Sequence, residues 1–141
     1  MFADSLAAAR ENRDFNVLIK AVPYAKLLGM KSYHIGDELM FVLPAIDDNI
    51  GNPTLPAIHG GALGGFMESA AIFHALGSVD SDRVPKVIDF SIDYLRPGRY
   101  QDTYAMCEIV RQGRKVLNVS VSAWQNKRSE PIANARTHLL L

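Results

Sequence analysis

His59-Gly60-Gly61-Ala62-Leu63-Gly64-Gly65-Phe66-Met67-Glu68-Ser69-Ala70-Ala71-Ile72-Phe73-His74-Ala75-Leu76-Gly77 decides how the rest of the chain must fold. The stretch reads as one long helix, apolar nearly all round, and such a helix has to be buried. Glu68 is the single formal charge within it. Gly60, Gly61, Gly64 and Gly65 crowd its first two turns. Each helical glycine costs ~1 kcal/mol relative to alanine, a sacrifice that makes sense where something must approach the backbone closely. A helix start with free N–H donors, followed by a lone acid in apolar surroundings, is suited to polarising a carbonyl and to acid–base work. Two other readings fit the same residues: a core helix whose Glu68 pairs with a buried arginine, and a membrane span. The central acid and the lack of a basic flank before the helix weigh against the span.

Outside this stretch, composition sets limits. The chain of 141 residues is expected to form a single domain over residues 1–141, opening with a helix within residues 1–22. Fifteen basic and fifteen acidic residues leave no net charge, so no overall field draws the chain to nucleic acid or to an anionic membrane. Cys107 stands alone, which excludes an internal disulfide and favours a reducing compartment. The start, Met1-Phe2-Ala3-Asp4, carries neither the basic nor the apolar segment of a secretory signal, so a cytoplasmic location is expected.

Along the chain, Asp4 or Ser5 can cap the first helix, and Val22-Pro23 ends it. Tyr24 to Met30 reads as a short turn beneath a sheet, and Lys31 to Ile35 with Glu38 to Leu43 as a hairpin around Gly36-Asp37. Ala45 to Ile58 lacks periodicity and reads as a loop long enough to have a function. After the central helix the chain alternates: Ile88, Phe90, Ile92 and Tyr94 share one face of a strand over Lys86 to Leu95. Strands over Thr103 to Arg111, Lys115 to Gln125 and Pro131 to Leu140 follow, joined by short turns. Leu117, Val119, Val121 and Ala123 face inward in the second of these. The assembly expected is α+β, a curved antiparallel sheet wrapped around the long apolar helix.

These residues also carry a family likeness. His59-Gly60-Gly61 opening a helix, an acid nine residues after the histidine, and Val87-Ile88-Asp89-Phe90-Ser91-Ile92-Asp93-Tyr94-Leu95-Arg96-Pro97 resemble the hotdog-fold acyl-CoA thioesterases of the phenylacetate-pathway type. The resemblance runs from Pro23 to Leu140. It implies a hotdog fold, dimers often paired into tetramers, and hydrolysis of acyl-CoA without a metal or other cofactor. By position, Glu68 corresponds to the catalytic carboxylate, as general base or nucleophile. Gly60 corresponds to the residue whose N–H polarises the thioester carbonyl, and His59 to a supporting group that fixes the helix start. Gly61, Asn52, Ser91 and Arg96 are candidates for binding substrate. Where the family usually carries Asn and Gly, six and three residues before the histidine, this chain has Pro53 and Pro56, with Asn49 and Asn52 nearby.

Two alternatives belong to other classes. One is a non-catalytic acyl-CoA binder or sensor on the same fold, for which the two prolines argue. The other is an enoyl-CoA hydratase or dehydratase, which needs a histidine and an acid flanking one substrate, whereas His59 and Glu68 stand ~13 Å apart along a helix. His34, His74 and His138 lack the spacing of a metal site. Cys107 sits mid-strand without a neighbouring base and reads as structural.

Overall fold

The computed structural model describes residues 2–141; the part of the expected first helix that falls on Met1 lies outside the described residues. The elements run α1 (Phe2–Asn12), α2 (Asn16–Ala21), α3 (Pro23–Leu28), β1 (Lys31–Ile35), β2 (Glu38–Leu43), β3 (Ile50–Asn52), β4 (Ala57–Ile58), α4 (Gly60–Ser78), β5 (Lys86–Tyr94), β6 (Thr103–Gln112), β7 (Val116–Trp124) and β8 (Ala133–Leu140). Six strands form one antiparallel sheet in the order β1-β2-β6-β7-β8-β5. It wraps around α4, which touches β2, β5, β6, β7 and β8. The fold is α+β, of the hotdog type.

α4 has 19 residues and is ~28 Å long, enough to reach from one end of the sheet to the other. Phe66, Met67, Ala70 and Ala71 are fully enclosed, against Phe41 and Leu43 of β2, Ala105 of β6, and Leu117, Val119 and Val121 of β7. Burying each large side chain contributes ~1.5–3 kcal/mol relative to exposure. The alternation read in β7 holds, with Leu117, Val119, Val121 and Ala123 inward. No helix among the described residues is long and apolar enough to cross a membrane.

Several local expectations are corrected. The first helix is broken in two. Asp14 N–H bonds back to Ala9 at 3.0 Å, Arg13 adopts φ 52°, and the Asp14 carboxylate accepts the Asn16 N–H at 3.0 Å. The break turns Phe15 into the core over Gly77, where a Cβ would lie 2.9 Å from its ring. Tyr24 to Met30 is a helical turn, α3, ended by Gly29 at φ 73°, and it lies against α4. The long loop contains a 3-10 turn over Asp47–Asn49 and the small β3–β4 pair. In β5 a bulge between Val87 and Asp89 moves Ile88 to the outer side, so Val87, Phe90 and Ile92 pack on the core and Ile88 does not. β5 also leaves its sequence neighbour β6 and pairs with β8, which makes it an edge strand.

Both ends of α4 are held from elsewhere in the chain. At its C-terminus the Arg10 guanidinium of α1 donates to the carbonyls of Leu76 (3.0 and 2.8 Å), Val79 (3.0 Å) and Ser81 (2.7 Å). A cation there also opposes the negative end of the helix dipole.

Candidate active site

His59 is the N-cap of α4, with extended backbone at φ −60° and ψ 127°. Its Nδ1 accepts the N–H groups of Gly61 (3.0 Å) and Ala62 (3.3 Å), and its carbonyl accepts that of Leu63 (3.0 Å). A helix begins with four N–H groups that lack intrahelical partners. The Asn49 carbonyl takes the N–H of His59 itself and the His59 Nδ1 takes those of Gly61 and Ala62, which accounts for three of them. The fourth, that of Gly60, has no acceptor among the described residues. An acceptor Nδ1 places the proton of the neutral imidazole on Nε2.

The cap itself is fixed. His59 N–H donates to the Asn49 carbonyl at 2.8 Å, and Asn49, only 4% exposed, donates its side-chain amide to Leu28 at 3.0 Å. Gly51 leaves room for the histidine, since a Cβ there would fall 2.7 Å from the His59 Cα. On the sheet side, the Tyr94 hydroxyl donates to the Gly60 carbonyl at 2.6 Å. Around the helix start, Tyr24, Leu27 and Leu28 of α3 with Asp48, Asn49, Ile50, His59, Gly61 and Ala62 line an open groove of about 530 Å³.

Glu68 lies on a different part of the helix. Gly64 faces Phe90 and Tyr94 of β5, and a Cβ on Gly65 would overlap Tyr24 of α3. Between these covered flanks runs a strip formed by Gly61, Glu68 and Ile72, spaced by seven and four residues. Gly61 is exposed and the other two are half-buried. Glu68 has neither ion-pair nor hydrogen-bond partner among the described residues, so the buried-arginine reading of this acid is not met. Along one helix Glu68 and Gly60 are ~12 Å apart, too far to act on one carbonyl from the same chain.

The other candidates separate. Asn52 is exposed and its side-chain oxygen accepts the N–H groups of Thr54 (3.0 Å) and Leu55 (3.3 Å), closing its own turn. It is Asn49, not Asn52, that reaches His59. Ser91 lies on the outer face of the sheet with Asp93, Asn118, Ser120 and Arg136, away from the helix start. Arg96 ties down the β7–β8 connection, its guanidinium on the Pro131 carbonyl and its N–H on Ile132. His138 meets Asp89 at 2.8 Å, and that hydrogen bond holds the Asp89 carboxyl below its usual range. His74 and Cys107 share a cavity of about 220 Å³ at the opposite end of α4. Burial lowers the His74 pKa and pushes the Cys107 thiol far up, each in the direction that favours the uncharged form. The His74 Nδ1 has no partner there. Among the described residues no group of three or more His, Cys, Asp or Glu side chains is arranged to hold a metal ion.

Tyr94 was legible only as a strand residue sharing a face with Ile88, Phe90 and Ile92. Its link to Gly60 spans 34 positions, and no local pattern announces it.

A family model described as the thioesterase superfamily matches residues 55–132, more than half of the chain. No curated protein matches. Among solved structures, a protein from Chromobacterium violaceum is 44% identical with a TM-score of 0.81, covering 96% of this chain and 95% of that one. A phenylacetic acid degradation-related protein from Ralstonia eutropha shares the fold at 20% identity and a TM-score of 0.75, over 90% of this chain and 98% of that one. A Bacillus halodurans protein solved with CoA does so at 23% identity and a TM-score of 0.75, over 99% and 88%. With the family segment beginning just before His59 and running through α4, β5, β6 and β7, the chain belongs to the thioesterase superfamily.

Proposed function

We propose that the protein hydrolyses acyl-CoA thioesters, in the manner of the phenylacetate-pathway type, at two composite sites of a dimer. The observation that carries this reading is the helix start, where the His59 ring and the Asn49 carbonyl take three of the four free donors and leave the Gly60 N–H for a ligand. A thioester carbonyl seated on that N–H would have its developing negative charge stabilised by the amide and by the positive end of α4. The groove of about 530 Å³ beside it is of a size that takes a small-molecule arm, and its walls include Tyr24, Leu27 and Leu28.

Glu68 then comes from the second copy. The strip that holds it is open, lies next to the unpaired edge of β5, and carries no charge but its own. Two α4 helices packed antiparallel along this strip would bring each Glu68 to the other's N-terminus. As general base, Glu68 takes a proton from water while the water oxygen bonds to the carbonyl carbon. The C–S bond then breaks with its electron pair on sulfur, and the proton passes from Glu68 to the departing CoA thiolate. Pairing of such dimers into tetramers, a role for Gly61 beside Gly60, and a cytoplasmic setting for the lone Cys107 belong to the same proposal. The description of the Ralstonia protein as phenylacetic acid degradation-related, and the CoA with which the Bacillus protein was solved, lend it chemical context.

The test is a panel of CoA thioesters (short, medium and long acyl, benzoyl, phenylacetyl) assayed for free thiol with wild type and Glu68→Ala. Wild type should turn over at least one, and the variant should fold yet lose a factor of ~100 or more. Tight binding of these thioesters without any turnover would instead make the protein a binder or sensor.

A further inference from the structure

We infer that Tyr94 is a positioning residue, which through the Gly60 carbonyl sets the direction in which the Gly60 N–H is presented. The inference rests on the role given to Gly60 above. A glycine has no Cβ to restrict its φ and ψ, and here two stand at the first positions of a helix, where fraying begins. The direction of the Gly60 N–H is therefore decided by whatever holds the peptide planes on either side of the Gly60 Cα.

Each plane can be followed. The His59–Gly60 plane is tied through its carbonyl, which accepts the Leu63 N–H at 3.0 Å. The Gly60–Gly61 plane is tied at both ends: its N–H to the His59 Nδ1 at 3.0 Å, its carbonyl to the Tyr94 hydroxyl at 2.6 Å. Two bonds from His59 and one from Tyr94 thus fix a residue that is otherwise free. The group left over is the N–H that faces the ligand.

The surroundings are built for this approach. A Cβ on Gly60 would lie 3.3 Å from the Tyr94 hydroxyl oxygen, and one on Gly64 3.6 Å from the same atom. Gly60 therefore makes room for this hydroxyl, while a Cβ on Gly64 would only rest against it. Tyr94 ends β5, is 54% exposed, and pairs through its backbone with Ala133. The sheet needs no hydroxyl at this place. A phenylalanine would fill the same space.

Tyr94→Phe isolates the hydroxyl. Amide hydrogen exchange at Gly61 and Ala62 should quicken about twofold to tenfold, the range expected for one lost hydrogen bond, while exchange at core amides such as Val121 stays at the wild-type rate. In the thioester assay kcat should fall roughly tenfold with KM little changed, since the interaction lost is one made to the transition state. Tyr33→Phe, on β1 far from the helix start, should alter neither reading. Unchanged exchange at Gly61 and Ala62 overturns the inference, and so does quickened exchange with wild-type kcat. If wild type hydrolyses no thioester, the functional reading falls on its own, and the exchange rates still decide whether Tyr94 holds the Gly60–Gly61 plane.

Discussion

Replacing His59 tests whether its ring is a cap or a chemical participant. In His59→Ala the N–H groups of Gly61 and Ala62 lose the acceptor now at 3.0 and 3.3 Å. His59 is exposed, so water reaches both groups and the loss stays on the scale of an N-cap, ~1 kcal/mol. For a chain of 141 residues that is a fall in Tm of roughly 3 °C. The effect on turnover should be larger in proportion. The same bond to Gly61 holds one peptide plane of Gly60, so kcat should drop about tenfold as the carbonyl-binding amide loses its aim. His59→Asn supplies a side-chain oxygen at the same position, and asparagine is among the best N-caps. It should restore Tm to within about 1 °C and recover most of the turnover. Thermal melting by circular dichroism and thiol release on the best thioester of the panel give both numbers. An asparagine variant as stable as wild type but as slow as His59→Ala would refute the capping account and make the imidazole part of the chemistry. A His59→Ala variant with unaltered Tm would show that the cap bonds contribute nothing.

Three further outcomes are expected. Glu68→Ala and Gly60→Pro, each folded and inactive, should recover about a quarter of wild-type activity per subunit when unfolded and refolded together, because about half the dimers are hybrids with one intact site. No recovery from freely exchanging parents would place both groups in one subunit. Cys107, half-buried and with its thiol pushed far above its usual pKa, should react with a thiol-blocking reagent at pH 8 much more slowly in the native protein than after unfolding, and the modified native protein should keep its activity. Rapid modification of native protein would contradict this. For His74, burial lowers the folded pKa below 6.5, so the unfolded chain binds the proton more tightly. Its contribution to stability is then complete above about pH 6.5 and is lost as pH falls through the folded value. Tm measured from pH 7.5 to 5.0 should decline less steeply in His74→Gln, and parallel curves for the two proteins would remove His74 as the cause.

Much of this molecule is written in short-range pattern. The extent of α4, the β1–β2 hairpin around Gly36 at φ 63° and the inward set of β7 follow from periodicity and turn chemistry, which act within a few residues. The chemical residues of the helix start, His59 and Gly60, were legible for the same reason: a cap and its first donors are neighbours in sequence. Ile88 shows where that ends. Its alternation put it on the face of Phe90 and Ile92, but the bulge that separates them arises from the register of β5 against β8, some fifty residues away.

The glycines mark the boundary most clearly. Their presence alone said that something approaches the first two turns of α4 closely, and that held. What approaches was invisible, because a glycine leaves a space without naming its occupant. Gly64 and Gly65 are adjacent in sequence, yet Tyr94 fills beside one and Tyr24 beside the other, one from after α4 and one from before it. The same holds for Asn49 and Asn52, three positions apart and equally polar in sequence. The first is enclosed and tied to Leu28 and His59, and the second closes its own turn. By itself, the sequence determined that a long apolar helix must be wrapped by a sheet, and that its start offers amide donors near a lone acid. Only tertiary structure decided that the Asn49 carbonyl takes one of those donors beside the two held by the His59 ring, and that a strand-end tyrosine holds the glycine bearing the fourth. Propensity and period are properties of neighbours, whereas hydrogen bonds between peptide planes and distant side chains depend on how the whole chain closes around the helix.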